Sequence, residues 1–144
     1  MTYLHFIETI ENHFENEILI ERIQNVELDE FDLDKSTVYP LALFYVENVN
    51  LSTPTNTFVL QLLVLDILDV NKETKENNEN FIWNQSLAII NNFVSRLRRG
   101  DLFEEMVQLS SEVIAEKISD RFDKGLAGMG ATINIEVPNE MTIC

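Results

Sequence analysis

The apolar positions of this chain switch between a helical and an extended period. Tyr3, Phe6, Ile7, Ile10 and Phe14 recur at spacings of three and four. They predict a helix over residues 2–14, with Thr2 as its N-cap. An acidic stretch follows over residues 15–35. Its first part carries Ile18, Leu19, Ile20 and Ile23, an apolar cluster expected to tuck against the core. Further on, Val26, Leu28, Phe31 and Leu33 alternate with acids and predict a short edge strand, whose charges discourage stray pairing.

Extended period then dominates. Residues 41–49 read as a strand opened by Tyr39-Pro40, since proline is tolerated at a strand's first residue but not in its middle. Residues 50–56, with Ser52, Thr53 and Pro54, form a turn by composition. Residues 57–70 predict a longer strand that is apolar on both faces: Phe58, Leu60, Leu62 and Val64 on one, Val59, Leu63, Leu65 and Ile67 on the other. Such a strand needs cover on both sides of its middle, by a helix on one and by another part of the chain or a neighbour on the other.

Residues 71–80 contain no apolar side chain and predict a solvated tip. Residues 81–99 carry the clearest helical stripe: Trp83, Leu87, Ile90, Val94 and Leu97, widened by Ile82, Ile89 and Phe93. Arg96, Arg98 and Arg99 fall in its last turn and Gly100 just beyond. Cations complement the negative end of a helix, and glycine is the favoured residue after it. This helix-end role is preferred to a patch for nucleic acid or an acidic partner. Residues 101–108 predict a short helical turn or a loop, anchored by Phe103 and Met106. Residues 111–122 fit either period, and their β-branched content favours a strand.

The cleanest alternation closes the chain. Met129, Ala131, Ile133, Ile135 and Val137 point one way; Gly130, Thr132, Asn134 and Glu136 point the other. This strand is expected to pack its apolar face under the 81–99 helix. The fold class is therefore α+β: an antiparallel sheet of two long hairpins plus a short edge strand, with two helices packed on one face. Residues 1–144 are read as one domain, with no internal repeat and no dividing linker.

Composition changes this picture in one respect. The 144 residues include 10 Lys and Arg against 25 Asp and Glu, a net charge of −15. A surface so acidic does not grip nucleic-acid phosphates by counterion release, nor an anionic membrane. No transmembrane helix is expected, because the longest apolar stretch, residues 58–68, is short and interrupted by Gln61 and Asp66. The N-terminus lacks a basic segment followed by an apolar run, so no secretory signal is expected. The single cysteine, Cys144, excludes an internal disulfide and fits a reducing compartment.

The search for chemistry predicts no catalytic, cofactor-binding or metal-binding residue. No nucleophile elbow, P-loop or dinucleotide fingerprint is present. Gly125, Gly128 and Gly130 precede a strand rather than a helix, which suits a bulge or close backbone approach, not a phosphate cradle. His5 and His13 stand eight residues apart on the first helix and read as surface or helix-edge residues, not a zinc pair. Glu27, Asp29, Asp32 and Asp34 lack the order of an EF-hand loop and read as solvated surface. Asp66 and Asp69 point to opposite faces of their strand. Asp66 shares a face with Leu62 and Val64, and is expected to be half-buried, either in an inter-subunit contact or at the strand's exposed end.

The layout resembles the tail-completion and tail-terminator proteins of tailed bacteriophages, which are small head–tail connection, or neck ring, subunits. The matching features are the short N-terminal helix, the Tyr39-Pro40-Leu41 strand start, and the long strand ending Leu65-Asp66-Ile67-Leu68-Asp69 before a polar tip. They continue with the helix Asn78-Glu79-Asn80-Phe81-Ile82-Trp83-Asn84-Gln85-Ser86-Leu87 and the strand over 128–138 with its Ile135-Glu136-Val137-Pro138 finish, then a terminal cysteine. The acidity of residues 15–34 departs from that pattern. The asparagine- and lysine-using composition is similar to that of AT-rich phages of the crAss-like kind.

The resemblance implies a non-enzymatic, cofactor-free structural virion protein. It would be made in the host cytoplasm and assembled as a homo-oligomeric ring at the phage neck or tail. Its partners would be neighbouring portal-side or tail rings, with DNA passing nearby without specific binding. The rival expectation is an intracellular adaptor or immunity-type protein that binds a basic partner through its acidic surface. A carboxylate-based hydrolase or metal enzyme finds no supporting constellation.

Overall fold

The computed structural model describes residues 2–26, 39–52, 54–68, 78–104, 106–109, 112–121 and 125–138. Helix α1 spans Tyr3–Glu15. Thr2 caps it, its Oγ1 accepting from the His5 N–H at 3.1 Å. Phe6, Ile7, Ile10, His13 and Phe14 form its buried side, while Tyr3 and Leu4 stay outside. The apolar cluster that follows divides. Ile20 is buried and Ile23 packs against the core, but Ile18 is 90% exposed and Leu19 is also outside.

Among the described residues, six strands form one sheet: β1 Arg22–Asn25, β2 Leu41–Leu51, β3 Thr55–Ile67, β4 Gln108–Leu109, β5 Ala115–Arg121 and β6 Leu126–Pro138. Their order is β1-β2-β3-β6-β4, with β5 also paired to β6. The two expected hairpins are present: β2 with β3, and β5 with β6, joined by the long antiparallel β3–β6 ladder.

The edge strand differs from expectation. The described edge strand lies at 22–25, ahead of the expected one, and it pairs with β2 in parallel, so the sheet is mixed. Leu28, Phe31 and Leu33 lie outside the described residues. Parallel pairing follows from the route: the Glu21 N–H donates to the Pro40 carbonyl and the Val26 N–H to that of Phe44, so the two segments run alongside in one direction. The described residues of 101–107 take the loop alternative, and the two-residue strand β4 follows at the end of that stretch. Phe103 anchors that region as expected, but Met106 is exposed and Val107 is the buried partner.

Helix α2 spans Glu79–Arg99, two residues longer at its start than the sequence pattern suggested. It ends on Gly100 at φ 75°, a left-handed conformation that glycine adopts without a Cβ penalty. The Asp101 N–H closes the end by donating to the Arg96 carbonyl at 3.0 Å. Its buried side is centred on Ile82, Ser86, Ile89 and Phe93 with Ile90, Val94 and Leu97 beside them; Leu87, placed in the stripe by spacing, is 46% exposed.

Both helices lie on the same face of the sheet. Beneath them sit Ala42 and Phe44 of β2, Phe58, Leu60, Leu62 and Val64 of β3, and Met129, Ala131, Ile133, Ile135 and Val137 of β6. The β6 alternation is thus realised residue for residue. Phe6 centres an aromatic stack, with ring centroids 4.3 Å from Phe58 and 5.4 Å from Phe103. Burying each such ring contributes roughly 2 kcal/mol through lost apolar hydration.

Candidate functional site

The opposite face of the sheet carries no helix among the described residues. Side chains of adjacent strands in register share a face, so the pairing pattern lists its members. It has a dry end and a wet end. At the dry end Leu41, Leu43, Leu65, Ile118 and Leu126 are buried, with Val26, Tyr39 and Leu63 packed on them. The two-sided apolarity of β3 is therefore only partly covered: Leu65 is enclosed, Val59 and Leu63 are half-buried, and Ile67 is exposed.

At the wet end a hydrogen-bonded chain crosses three strands. Thr132 Oγ1 donates to Gln61 Oε1 at 2.9 Å, and Gln61 Nε2 donates to Glu47 Oε2 at 2.8 Å. Glu47 reaches this position because the β2–β3 register shifts between Val46 and Asn48. The extra residue of such a bulge is re-aimed relative to the ladder.

Between these ends, at the β5 side, a groove of about 440 Å³ opens on the same face. Leu63, Gly130 and Ile118 line its apolar part, Gln61, Thr132 and Asn134 its polar part, and Glu112, Ile114 and Glu116 its outer wall. The groove lies where β6 has no outer strand partner among the described residues. Ala131 pairs with Ala115 and Ile135 with Leu109, but residues 132–134 pair with neither strand. Gly130 keeps the floor low. Its neighbours Leu63 and Ile118 stand 3.5 and 3.6 Å from where a Cβ would sit.

Helix α2 fixes the wall from the other side. Trp83 Nε1 donates to the Ile118 carbonyl at 3.0 Å, Lys117 Nζ lies 4.7 Å from the centroid of the Trp83 ring, and the Ser119 hydroxyl donates to Glu79. These contacts occupy the outer edge of β5, which would otherwise be open to strand pairing. Lys117 also lines the groove, but its Nζ is drawn to the Trp83 ring, and Glu112 and Glu116 stand on the rim. The face thus carries the carboxylates of Glu47, Glu112, Glu116 and Glu136. Among the described cations, Arg22 shares the face but at the far β1 edge, where its guanidinium donates to Gln24.

The sequence-derived positions sort as follows. His13 is not a surface or helix-edge residue: it is only 5% exposed, held between Phe14 and Phe93. Arg96 Nη1 approaches His13 Nδ1 at 2.8 Å. A guanidinium only donates, so Nδ1 is the acceptor and the ring proton sits on Nε2, which has no hydrogen-bond partner among the described residues. Burial, and secondly the adjacent guanidinium, lower its pKa from 6.5 to about 4, against a smaller opposing effect of Glu17. The signal was present in the sequence: His13 falls three residues after Ile10, on the apolar stripe.

The arginines keep their helix-end role. Arg96 also donates to the Asp101 carbonyl, and Arg99 pairs with the Asp101 carboxylate at 3.0 Å. Asp66 is half-buried, as expected, with its Oδ1 accepting from the Ile67 N–H at 2.7 Å. Glu27, Asp29, Asp32, Asp34, Asp69 and Cys144 lie outside the described residues. Among the described residues, no group of three or more His, Cys, Asp or Glu side chains is placed to hold a metal ion, and no helix is long and apolar enough to cross a membrane. In comparisons with known proteins, no family model matches this sequence and no curated protein matches it significantly.

Proposed function

We propose that this chain is a structural, non-enzymatic subunit of a homo-oligomeric ring at the head–tail connection or tail end of a tailed bacteriophage. In the virion it forms part of the conduit for DNA and stacks on neighbouring neck, portal-side or tail rings. The observation that carries the reading is the unlike character of the two sides of the sheet. One is sealed by both helices; the other is a half-covered face with an open groove and uncompensated carboxylates. A ring subunit needs two different contact surfaces on opposite sides, because each copy meets a neighbour on either flank.

The net charge of −15 suits a conduit. An acidic lining repels the phosphate backbone, so DNA slides past instead of binding. Electron cryo-microscopy of the assembled protein tests both parts. A closed ring with an acidic bore is the expected result; a basic bore contradicts the sliding role.

The carboxylate rim also favours a second reading, an intracellular adaptor or immunity-type protein that takes a basic partner. Capture of one basic partner by a protein that never self-associates would favour that reading over the ring.

A further inference from the structure

We infer that the groove on the helix-free face takes the outer side of helix α2 from a second copy of this chain, an interface that rests on the ring reading and specifies its contact. The groove offers an apolar floor at Leu63 and Ile118, an exposed lip at Ile114, and a rim of Glu112 and Glu116. Its occupant therefore carries one apolar side chain and a cation within the reach of a single element.

Helix α2 presents that combination on its outer side. Leu87, Asn91 and Arg98 are exposed and recur at spacings of four and seven, so they form one stripe roughly 16 Å long. Among the described cations, Arg96 is held by His13 and the Asp101 carbonyl, Arg99 by Asp101, Lys117 by the Trp83 ring and Arg22 by Gln24. Arg98 is exposed and engages no described side chain. The chain thus has a partly apolar groove in which Glu112 and Glu116 outnumber one lysine, Lys117, whose Nζ lies over the Trp83 ring, and a partly apolar stripe with a cation to spare.

The two surfaces lie on opposite sides of the sheet. A contact between them is head-to-tail, not a two-fold self-match, and such contacts close into rings or run on as filaments. The charges select the partner and its register, while Leu87 against the groove floor supplies the apolar burial.

Charge exchange tests the contact on the full chain. The Glu112→Lys/Glu116→Lys variant sets cations against the arginine end, and the Arg98→Glu/Arg99→Glu variant sets carboxylates against the groove. All four side chains are exposed and the Arg99–Asp101 pair is open to solvent, so each variant is expected to fold, checked by circular dichroism. Each alone should need at least a tenfold higher concentration to assemble, read by sedimentation velocity. Mixed one to one, they should reassemble as hetero-oligomers at the wild-type concentration. Assembly that persists unchanged in both variants, or a mixture that stays dissociated, overturns this contact while leaving the ring intact as a reading. A wild type that is monomeric at every concentration overturns the ring reading and this contact with it.

Discussion

Arg96 Nη1 stands 2.8 Å from His13 Nδ1, and through that contact the last turn of α1 is held to the last turn of α2. The imidazole is buried between Phe14 and Phe93, and its pKa is lowered to about 4. The pair works only while His13 is neutral. Protonation would place two cations side by side in an apolar setting.

A pH dependence follows. The unfolded chain takes up this proton near its ordinary pKa of 6.5, whereas the folded chain resists it to about 4. The stability contribution of neutral His13 is complete above pH 6.5, declines as pH falls from 6.5 to about 4, and is lost below that. Full loss corresponds to about 3 kcal/mol. Urea unfolding of the wild type and of His13→Gln, compared between pH 7.5 and 4, isolates this from the titrating carboxylates. The difference in stability between the two proteins should shrink toward acid; a pH-independent difference would mean that His13 does not titrate as described.

Two glycines of β6 should respond oppositely to alanine. A Cβ at Gly128 would meet the Val64 carbonyl oxygen at 1.8 Å and its carbon at 2.8 Å, both backbone atoms that move only if β3 and β6 separate. Gly128→Ala is expected to cost at least about 2 kcal/mol in chemical unfolding. At Gly130 the nearest atoms stand 3.5 Å away, so Gly130→Ala should be neutral within about 0.5 kcal/mol or slightly stabilising. Equal costs at both positions would refute the close approach.

Trp83→Phe keeps a ring over the core but removes the donor to the Ile118 carbonyl and weakens the seat of Lys117. A loss of about 1–2 kcal/mol in thermal or urea unfolding is expected. Light scattering should rise as well, because the outer edge of β5 is then less protected.

Aromatic position should decide cost on the helix side. Phe6→Ala empties the centre of the Phe58–Phe6–Phe103 stack and should cost about 3–5 kcal/mol. Phe81→Ala, at a residue 65% exposed, should change stability by less than about 0.5 kcal/mol.

Period alone made most of the architecture legible. The β6 alternation over residues 129–137 needed no information beyond its own residues, because there one face is dry and the other wetter. The hairpins and the Gly100 stop of α2 were equally local. What was missed depends on partners distant in sequence. The parallel placement of β1 is decided by Pro40 and Phe44. Leu87 lies outside because the sheet meets α2 along the Ile82–Ile89–Phe93 line, and an apolar arc wider than its contact leaves one flank exposed.

His13 was read from its residue type although its place on the apolar stripe pointed to burial; its partner Arg96, 83 residues later, was not legible. The groove was invisible for a related reason. It lies beside residues 132–134 of β6, which among the described residues pair with neither β4 nor β5. Residue types in that strand change too smoothly to announce it.

The central claim is that this chain assembles through two unlike faces into a closed ring. Native mass spectrometry of the purified 144-residue chain over a rising concentration series tests it most directly. One closed species at a fixed integer multiple of 16.7 kDa, unchanged once formed, is predicted. A monomer that persists at the highest concentration would contradict the account.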